Sequence, residues 1–309
     1  MPKGHLSTIN EYLHGMDVVI TYVDGQDPVW RKEYAEAVGG GILAKRYRDW
    51  GTLRYLFRGI ERHLPFVEKV FLIVSGESQV PAWIDRDNVN VVFHRDIIPA
   101  RFLPTFNSTT IEMFMHRIPG LGEEFLYFND DVFPVMDCRK EDFFRDGKAV
   151  IGFARHIIAG GKFKKRTRNS DRQARKALGM RPGLFFLRPR HTCNPMFRSE
   201  SEAVYAASEN EIFKVVSRLR TTKNFNQYLF LDYLYYKGRA VRGKISNRHL
   251  SPAAHSPETI ASSITDPTTK IVCINDVHLS DEDFARYSSA VKSAFSEHFP
   301  EKSRFESDC

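Results

Sequence analysis

Two acidic clusters in the sequence each follow an apolar run, which is a placement suited to binding a metal ion and a phosphate. The clearest is in residues 125–132, where an apolar run leads directly into Asn129, Asp130 and Asp131. Ligands of open α/β sheets gather beyond the carboxyl ends of the strands, so these side chains would project into a site. Magnesium prefers one or two carboxylates plus substrate phosphates over a full protein cage. The alternative is an ordinary turn, where Asn and Asp are common.

The second cluster comes near the end of the chain, where Cys273 and Ile274 are followed by Asn275 and Asp276. If its strand lay parallel to the first in one sheet, the two clusters would share a metal ion or a substrate diphosphate. Asp24 and Asp27 pose a similar question after the apolar run 17–23. These two acids either bind the nucleotide part of a substrate in the same site as the first cluster, or they belong to a solvated turn.

His191 stands between Arg190 and Thr192. Neighbouring positive charge disfavours protonation, so this context predicts a lowered pKa for the imidazole of His191. A neutral histidine would suit proton transfer near pH 7. A structural histidine in a loop is the alternative.

Residues 162–181 are strongly basic, with Asp171 as their single acid. We expect a mobile loop or an exposed helix. The segment lacks the sequence patterns of common nucleic-acid-binding motifs, which favours a solvated face or a lid over a phosphorylated substrate. The basic side chains are Lys162, Lys164, Lys165, Arg166, Arg168, Arg172, Arg175, Lys176 and Arg181.

The elements that must position these residues alternate between strands and helices. Short apolar runs predict strands over 17–23, 70–74, 89–93, 124–128 and 271–274. Helical spacing predicts helices over 53–64, 200–214 and 226–236, one from about Thr109, and a last one that begins at Ser280 with Asp283 as its capping partner. The first four strands, separated by helices or long connections, predict a mostly parallel α/β sheet.

Composition narrows the class of protein further. The 309 residues are 42% hydrophobic and 27% charged, which is typical of a globular chain with one large domain. The four cysteines form no C-x-x-C pair, so neither a zinc site nor a disulfide framework is indicated. With no apolar run of about 18 residues and no signal peptide, we expect a soluble or peripheral protein. A net charge of +7 favours a polyanionic partner.

Taken together, these segments resemble the Stealth family, which includes bacterial capsular polysaccharide phosphotransferases and the lysosomal-enzyme N-acetylglucosamine-1-phosphotransferase of animals. The resemblance covers nearly the whole chain, and its second block is long and specific. Four blocks occur in order: residues 17–27; residues 46–50 continuing through 103–108, 111–112, 116–120 and 127–131; His191 with Pro195 and residues 220–236; and residues 273–276 with the helix that closes at 299–306.

The resemblance implies a single catalytic domain over 1–309, with a Rossmann-like, mostly parallel sheet of the nucleotide-sugar transferase (GT-A-like) type, a helical insertion and a C-terminal helix. Its parts would be a nucleotide-sugar and metal half (about 15–135), a basic, helical acceptor or lid region (about 160–240) and a strand and helix completing the site (about 270–306). The implied reaction moves a hexose 1-phosphate, usually an N-acetylhexosamine 1-phosphate, from a UDP-sugar to a sugar hydroxyl. It releases UMP and requires Mg²⁺ or Mn²⁺.

The resemblance also assigns roles to residues. The metal would be held by Asp131, Asn275 and Asp276. The catalytic residues would be Asp130, His191 and Arg220, and either Asp130 or His191 would be the base. The substrate-binding residues would be Asp24, Arg46, Arg48, Asn107 and Asn129.

The expected partners are a UDP-N-acetylhexosamine donor and an oligosaccharide or polysaccharide acceptor, with no nucleic acid. The expected place is the cytoplasm, peripheral at the inner face of a bacterial membrane. Two rival interpretations are a metal-dependent glycosyltransferase that releases UDP and a non-catalytic polyanion-binding protein.

Overall fold

The computed structural model describes residues 15–40, 47–275, 277 and 279–308. Its strands are β1 (Met16–Thr21), β2 (Val67–Val74), β3 (Val89–Phe93), β4 (Glu124–Asn129), β5 (Val132–Pro134), β6 (Phe144–Arg145), β7 (Lys148–Ile151), β8 (Phe153–His156), β9 (Phe186–Pro189), β10 (Asn194–Phe197), β11 (Ala240–Arg242), β12 (Asn247–Leu250) and β13 (Ile271–Ile274). Its α-helices are α1 (Pro28–Val38), α2 (Leu53–His63), α3 (His94–Ile97), α4 (Ser108–Glu112), α5 (Gly161–Ala177), α6 (Arg198–Val215), α7 (Tyr228–Tyr236), α8 (Pro257–Ile264) and α9 (Asp281–His298).

The main sheet has the strand order β10-β4-β1-β2-β3. Its last four strands in that order are the four predicted ones, and each pairs in parallel with its neighbour. β10 joins the other edge in the antiparallel sense. The predicted mostly parallel α/β sheet is therefore confirmed. The residues of β1 are buried on both faces, which explains why this strand reads as a continuous apolar run.

A second sheet, of order β12-β13-β5, brings the far end of the chain to the first acidic cluster. β13 lies outside the main sheet and pairs antiparallel with β5, so the two clusters do not end parallel strands of one sheet. They nevertheless meet, because β5 begins directly after Asp131. The amide of Ile274 donates to the carbonyl oxygen of Asp131 at 2.9 Å.

Two predicted helices follow from simple sequence signals. In α2 the buried side chains include Leu53, Leu56, Phe57 and Ile60, which lie on one face of the helix at spacings of three and four. In α9 the side chain of Ser280 accepts a hydrogen bond from the backbone of Asp283, as the capping pattern predicts. Within the part of the chain that the structure describes, no helix is both long and apolar enough to cross a bilayer.

The basic segment is a helix over most of its length, α5, rather than a mobile loop or a fully exposed helix. Thr167, Ser170, Asp171 and Ala174 are buried on one face. Asp171 accepts hydrogen bonds from the amide of Leu187 at 2.9 Å and from the tyrosine hydroxyl at the end of α7. These contacts fix one face of α5 against the protein and leave many of its cations on the other.

The C-terminal tail is held against α2 by an ion pair whose carboxylate is almost fully buried. Arg58 donates to both carboxylate oxygens of Glu306, at 2.7 and 2.8 Å, and the Glu306 side chain is 2% exposed. Burial alone would raise the pKa of Glu306. The hydrogen bonds from Arg58 and from the backbone of Ser303 outweigh it, so this pKa lies below its usual value.

This pair should make stability depend on acid pH. Because the folded-state pKa of Glu306 is lowered, its contribution is present above the unfolded-state pKa and is lost as the pH falls through the folded-state pKa. We expect Glu306→Gln to lower the free energy of unfolding by about 1–3 kcal/mol at pH 7, because Arg58 loses its charged partner. The stability difference between the variant and the wild type should shrink as the pH falls below about 4 and vanish only below the folded-state pKa of Glu306.

Urea unfolding at several pH values measures this effect. Glu301→Gln, an exposed change in the same tail, is the matched control. A stability difference for Glu306→Gln that stays constant from pH 7 to pH 3 would contradict the assignment.

Candidate active site

A cavity of about 620 Å³ opens at the carboxyl ends of β1 and β4. Thr21 and Tyr22 line it from the end of β1, and Asn129, Asp130 and Asp131 line it from the end of β4. This is the edge of a parallel sheet at which ligands gather. The volume lies in the range typical of pockets for small ligands and cofactors.

Three donor side chains meet at the end of β4, and two of them, Asp131 and His191, line the cavity. His191 Nε2 lies 3.3 Å from Asp131 Oδ2, and Cys273 Sγ lies 3.7 Å from the same oxygen. One donor atom from each residue lies within 4.8 Å of the others, a spacing that could hold a metal ion. The other carboxylate oxygen, Asp131 Oδ1, is buried and makes no hydrogen bond within the described structure. A buried carboxylate oxygen without a protein donor is a strong indication of a ligand or ion.

The protonation of His191 differs from the expectation based on its neighbours in sequence. Burial lowers the pKa of this imidazole, but the Asp131 carboxylate beside the ring raises it well above its usual value. The predicted lowering by arginine is therefore wrong, because the ring faces Asp131 while Arg190 donates to Asn247. Burial raises the pKa of Asp131, and His191 and His249 reverse this, so that its pKa is lowered.

The donor set fits a divalent cation. Asp131 supplies an ionised carboxylate, and Asp130 and Asn275 line the same cavity with further oxygen atoms. Burial raises the pKa of the Cys273 thiol to about 11, so this sulfur is neutral near pH 7 and a poor ligand in that state. Oxygen ligands match Mg²⁺ or Mn²⁺. Asp276, also predicted as a ligand, lies outside the described residues.

Sequence reasoning gave Cys273 no role, because this residue has no C-x-x-C partner. Side chains alternate between the two faces along a strand, so residues 273 and 275 are expected on the same face. Asn275 was already a candidate from its position after the apolar run. The signal was therefore the two-residue spacing between Cys273 and Asn275.

An arginine lies on another wall of the cavity. Arg220 donates to the hydroxyl of Ser108 and lines the cavity. The guanidinium of Arg218 instead donates to the carbonyl of Leu103. Of these two neighbouring arginines, only Arg220 lines the cavity, and its catalytic role remains a prediction.

Two predicted substrate-binding amides have protein partners in this structure. Asn107 is fully buried, caps α4 by accepting from the amide of Thr109, and donates to the carbonyl of Ser217. Asn129 accepts from the side chain of Gln227 at 3.3 Å. Both residues line the cavity, Asn107 as part of its scaffold and Asn129 at the end of β4.

Glu112 is a cavity residue without a role in the sequence-based set. It is buried, and its carboxylate accepts from the amide of Gln227 at 2.6 Å. Burial raises the pKa of Glu112, while Arg220, Arg166 and His191 lower it in part. The charges of Arg220, Arg166 and His191 therefore act on this buried carboxylate.

An aromatic wall closes the side of the cavity nearest β1. Trp30 stacks on Tyr34 with ring centroids 5.0 Å apart and meets Tyr47 and Phe106 edge to face. Gly25 permits this arrangement, because a Cβ at this position would lie 2.0 Å from the carbonyl oxygen of Tyr47. Such a wall suits the flat face of a nucleobase or a sugar.

The acids after β1 have structural contacts. Asp27 caps α1 by accepting from the amides of Val29 and Trp30. The backbone of Asp24 exchanges hydrogen bonds with the side chain of Gln79. Asp24 is not among the residues that line the cavity, whereas the neighbouring Val23 is.

Arg48 lines the cavity and forms an ion pair with Asp281 at the start of α9. Arg46 lies outside the described residues. Near Arg48, Asp49 accepts from the hydroxyl of Tyr22 at 3.2 Å, and burial raises the pKa of this carboxyl group. Asp49 was not singled out from sequence, although it lies in the second block of the resemblance.

Comparison with known proteins identifies the family. Conserved region 2 of the Stealth proteins matches residues 46–151. The chain is 31% identical over 246 residues to the capsular polysaccharide phosphotransferase cps1A of Actinobacillus pleuropneumoniae, covering 73% of this chain and 67% of that one. It belongs to the Stealth family. A second relative, the capsular polysaccharide phosphotransferase WcwK of Streptococcus pneumoniae, is 29% identical over 95% of this chain and 99% of its own length.

Solved structures give looser matches to this Stealth protein. A crystal structure of the galactosyltransferase LgtC in complex with donor and acceptor sugar analogues covers 89% of this chain at 14% identity, with a TM-score of 0.37. The apo form of the glycosyltransferase GlyE of Streptococcus pneumoniae TIGR4 covers 92% at 12% identity, with a TM-score of 0.42. The family assignment therefore depends on the sequence relatives, and the fold class on the sheet described above.

The matched Stealth region accounts for only part of the cavity. It contains Arg48, Asp130 and Asp131, whereas His191 and Arg220 lie beyond its end at residue 151. The tertiary structure brings both groups of residues to one site.

Proposed function

We propose that this Stealth protein transfers a hexose 1-phosphate, in particular an N-acetylhexosamine 1-phosphate, from a UDP-sugar to a hydroxyl group of an oligosaccharide or polysaccharide. The product is a phosphodiester, UMP is released, and the pathway is capsule or surface polysaccharide synthesis. The observation that supports this most is one cavity that combines Asp130 and Asp131 with Arg220, in a chain whose relatives are named capsular polysaccharide phosphotransferases.

The proposed reaction is a single displacement at the β-phosphorus. The acceptor oxygen forms a bond to this phosphorus, and the bond between it and the oxygen bridging to the α-phosphorus breaks. The electron pair leaves with UMP, and the bond from the sugar's anomeric carbon to its oxygen stays intact. Such phosphoryl transfer needs positioning and charge neutralisation more than covalent help from the protein.

In this proposal Arg220 and Arg48 offset the negative charge on the phosphoryl oxygens. Guanidinium groups bind phosphate with two parallel hydrogen bonds, and their fixed charge needs no rearrangement during the reaction. Asp131, Asn275 and Asp276 would hold the divalent ion, Mg²⁺ or Mn²⁺, which would supply Lewis-acid stabilisation of the diphosphate. The aromatic wall around Trp30 and Tyr47 receives the uracil.

The acceptor hydroxyl must lose its proton to a side chain of the cavity. Asp130 and His191 both line it, and His191, whose pKa is raised, can accept this proton only when the pH exceeds that pKa. A carboxylate base and an imidazole base lose activity over different acid pH ranges, so the two candidates predict different acid limbs in the pH dependence of kcat/KM. The base is the residue whose substitution, Asp130→Asn or His191→Gln, removes that limb.

The proposed organisation is a single catalytic domain in which α5 and the helices after it form the acceptor side. The proposed place of action is the cytoplasm, at the inner face of a bacterial membrane. The positive net charge supports this place, because the inner leaflet carries anionic lipids.

The released nucleotide tests the reaction. The purified protein is incubated with Mg²⁺, a saccharide acceptor mixture and a panel of UDP-hexoses and UDP-N-acetylhexosamines. We expect UMP by chromatography, and a new phosphodiester signal in the ³¹P spectrum of the saccharide. Release of UDP with a phosphorus-free saccharide product would instead establish a glycosyltransferase and overturn the proposal.

A further inference from the structure

The strongest concentration of positive charge in this chain coincides with its most exposed apolar side chains. Residues 154–190 contain twelve Lys and Arg against one acid, Asp171, a local net charge of +11. The chain as a whole carries +7, so the remaining residues together carry −4. Asp171 is buried and forms an ion pair with Arg175.

The exposed large apolar side chains are concentrated in the same part of the chain as the positive charge. Seven large apolar side chains are exposed among the described residues, and six of them lie in residues 157–185. The exception is Val29 on α1. An apolar surface of this kind within a basic region marks an interaction site more often than chance exposure.

Strand pairing places four of these side chains together. β8 and β9 pair antiparallel, with His156 opposite Phe186. The chain leaving β8 at Ile157 and the chain entering β9 at Phe185 therefore lie side by side. We call Ile157, Ile158, Leu184 and Phe185 the apolar tip. Ile158 and Leu184 are each 79% exposed, the highest values among the exposed large apolar residues.

Exposed cations surround the apolar tip. Arg155 lies on β8 and Arg188 on β9, and Lys162 and Lys165 lie in the first turns of α5, which begins at Gly161. A soluble polyanion would bind to the cations but would make no favourable contact with the exposed isoleucine, leucine and phenylalanine side chains. A lipid surface uses both, since aliphatic groups enter the boundary between headgroups and acyl chains and cations contact the lipid phosphates.

We propose that the apolar tip and its surrounding cations dock the protein onto an anionic phospholipid bilayer. Phe163, Arg166 and Arg188 belong to the same region and line the cavity, so docking places one edge of the cavity beside the lipid headgroups. The apolar tip and its cations would be the surface through which the protein reaches the membrane location proposed above. It does not depend on the proposed reaction, which a water-soluble acceptor can report separately.

Vesicle sedimentation tests this surface. The full chain is mixed with vesicles of phosphatidylcholine alone or with 30% phosphatidylglycerol at 0.1 M salt. We expect binding to the anionic vesicles only, weakened by added salt because the attraction is screened. Ile158→Ser with Arg155→Glu, an exposed cation on β8 that does not line the cavity, should lower the partition coefficient about 30-fold or more, since it removes one inserting group and reverses one charge.

The matched control is Val29→Ser with Lys32→Glu, which changes one exposed apolar residue and one exposed cation on α1. We expect it to bind vesicles like the wild type. Both double variants should keep the wild-type melting temperature and the same turnover with a water-soluble acceptor. Failure of the wild type to bind anionic vesicles, or equal loss in the two double variants, overturns the proposal. So does unchanged binding by Ile158→Ser alone, because the surface would then bind anions without inserting into lipid.

Discussion

Asp131→Asn should lower kcat about 10³-fold while the protein stays folded. The substitution keeps the shape of the side chain and removes its charge at a cavity carboxylate whose Oδ1 is buried without a hydrogen bond in the described structure. Loss of a single preorganised electrostatic contact in an active site typically costs 10²–10³-fold. Loss of the proposed metal ligand adds to that effect. The lowered pKa of Asp131 shows that the fold favours its ionised form, so we also expect a melting temperature a few degrees lower.

Steady-state turnover and Mn²⁺ binding by calorimetry measure the two consequences of this change separately. Asp87→Asn, an exposed aspartate remote from the cavity residues, is the matched control and should leave both unchanged. If Asp131→Asn keeps turnover within tenfold of the wild type, the acidic end of β4 is not the catalytic centre. If it loses turnover but binds Mn²⁺ normally, Asp131 acts on the substrate directly and the metal site lies elsewhere.

The sequence predicted the acidic residues that line the cavity at the end of β4, because the signals for these residues are local. A buried parallel strand produces a continuous apolar run, and the polar residues that follow it must lie at the edge where ligands bind. This was sufficient for Asp130 and Asp131 after β4. It was also sufficient for Asn275 after β13, although that strand belongs to a different sheet.

The surroundings of His191 could not be predicted in the same way. His191 and Asp131 are 60 residues apart, and they meet because β10 pairs antiparallel with β4, with Asn194 opposite Tyr127. No local pattern specifies that pairing. The pKa expectation failed for a related reason, because the prediction used the covalent neighbour Arg190 and the imidazole responds to the groups that its ring faces.

The folding of the basic segment, by contrast, had a usable signal. Thr167, Ser170, Asp171 and Ala174 recur at spacings of three and four, the period of a helix face. These residues are small or polar, so a pattern of apolar residues at helical spacing does not include them. Their burial against α7 shows that a buried helix face need not be apolar when its polar groups are hydrogen-bonded.

Arg220→Ala should lower kcat/KM by about 10²–10³-fold, and Arg220→Lys by roughly tenfold. Alanine removes the charge that we propose to stabilise the transferring phosphoryl group, whereas lysine keeps the charge and loses the two-pronged geometry. The matched control is Arg218→Ala. That side chain is also exposed but donates to the carbonyl of Leu103 and does not line the cavity, so turnover should stay within about threefold.

The test is the order of the activity losses in these three variants, because each alternative assignment predicts a different order. If Arg218 were the catalytic arginine, Arg218→Ala would show the larger loss. If the positive charge served only to bind polyanions, Arg220→Ala and Arg218→Ala would weaken saccharide binding alike, and the turnover of bound substrate would not change. A selective loss of kcat in Arg220→Ala, partly restored by lysine, is expected only when this guanidinium acts on the phosphoryl group in the transition state.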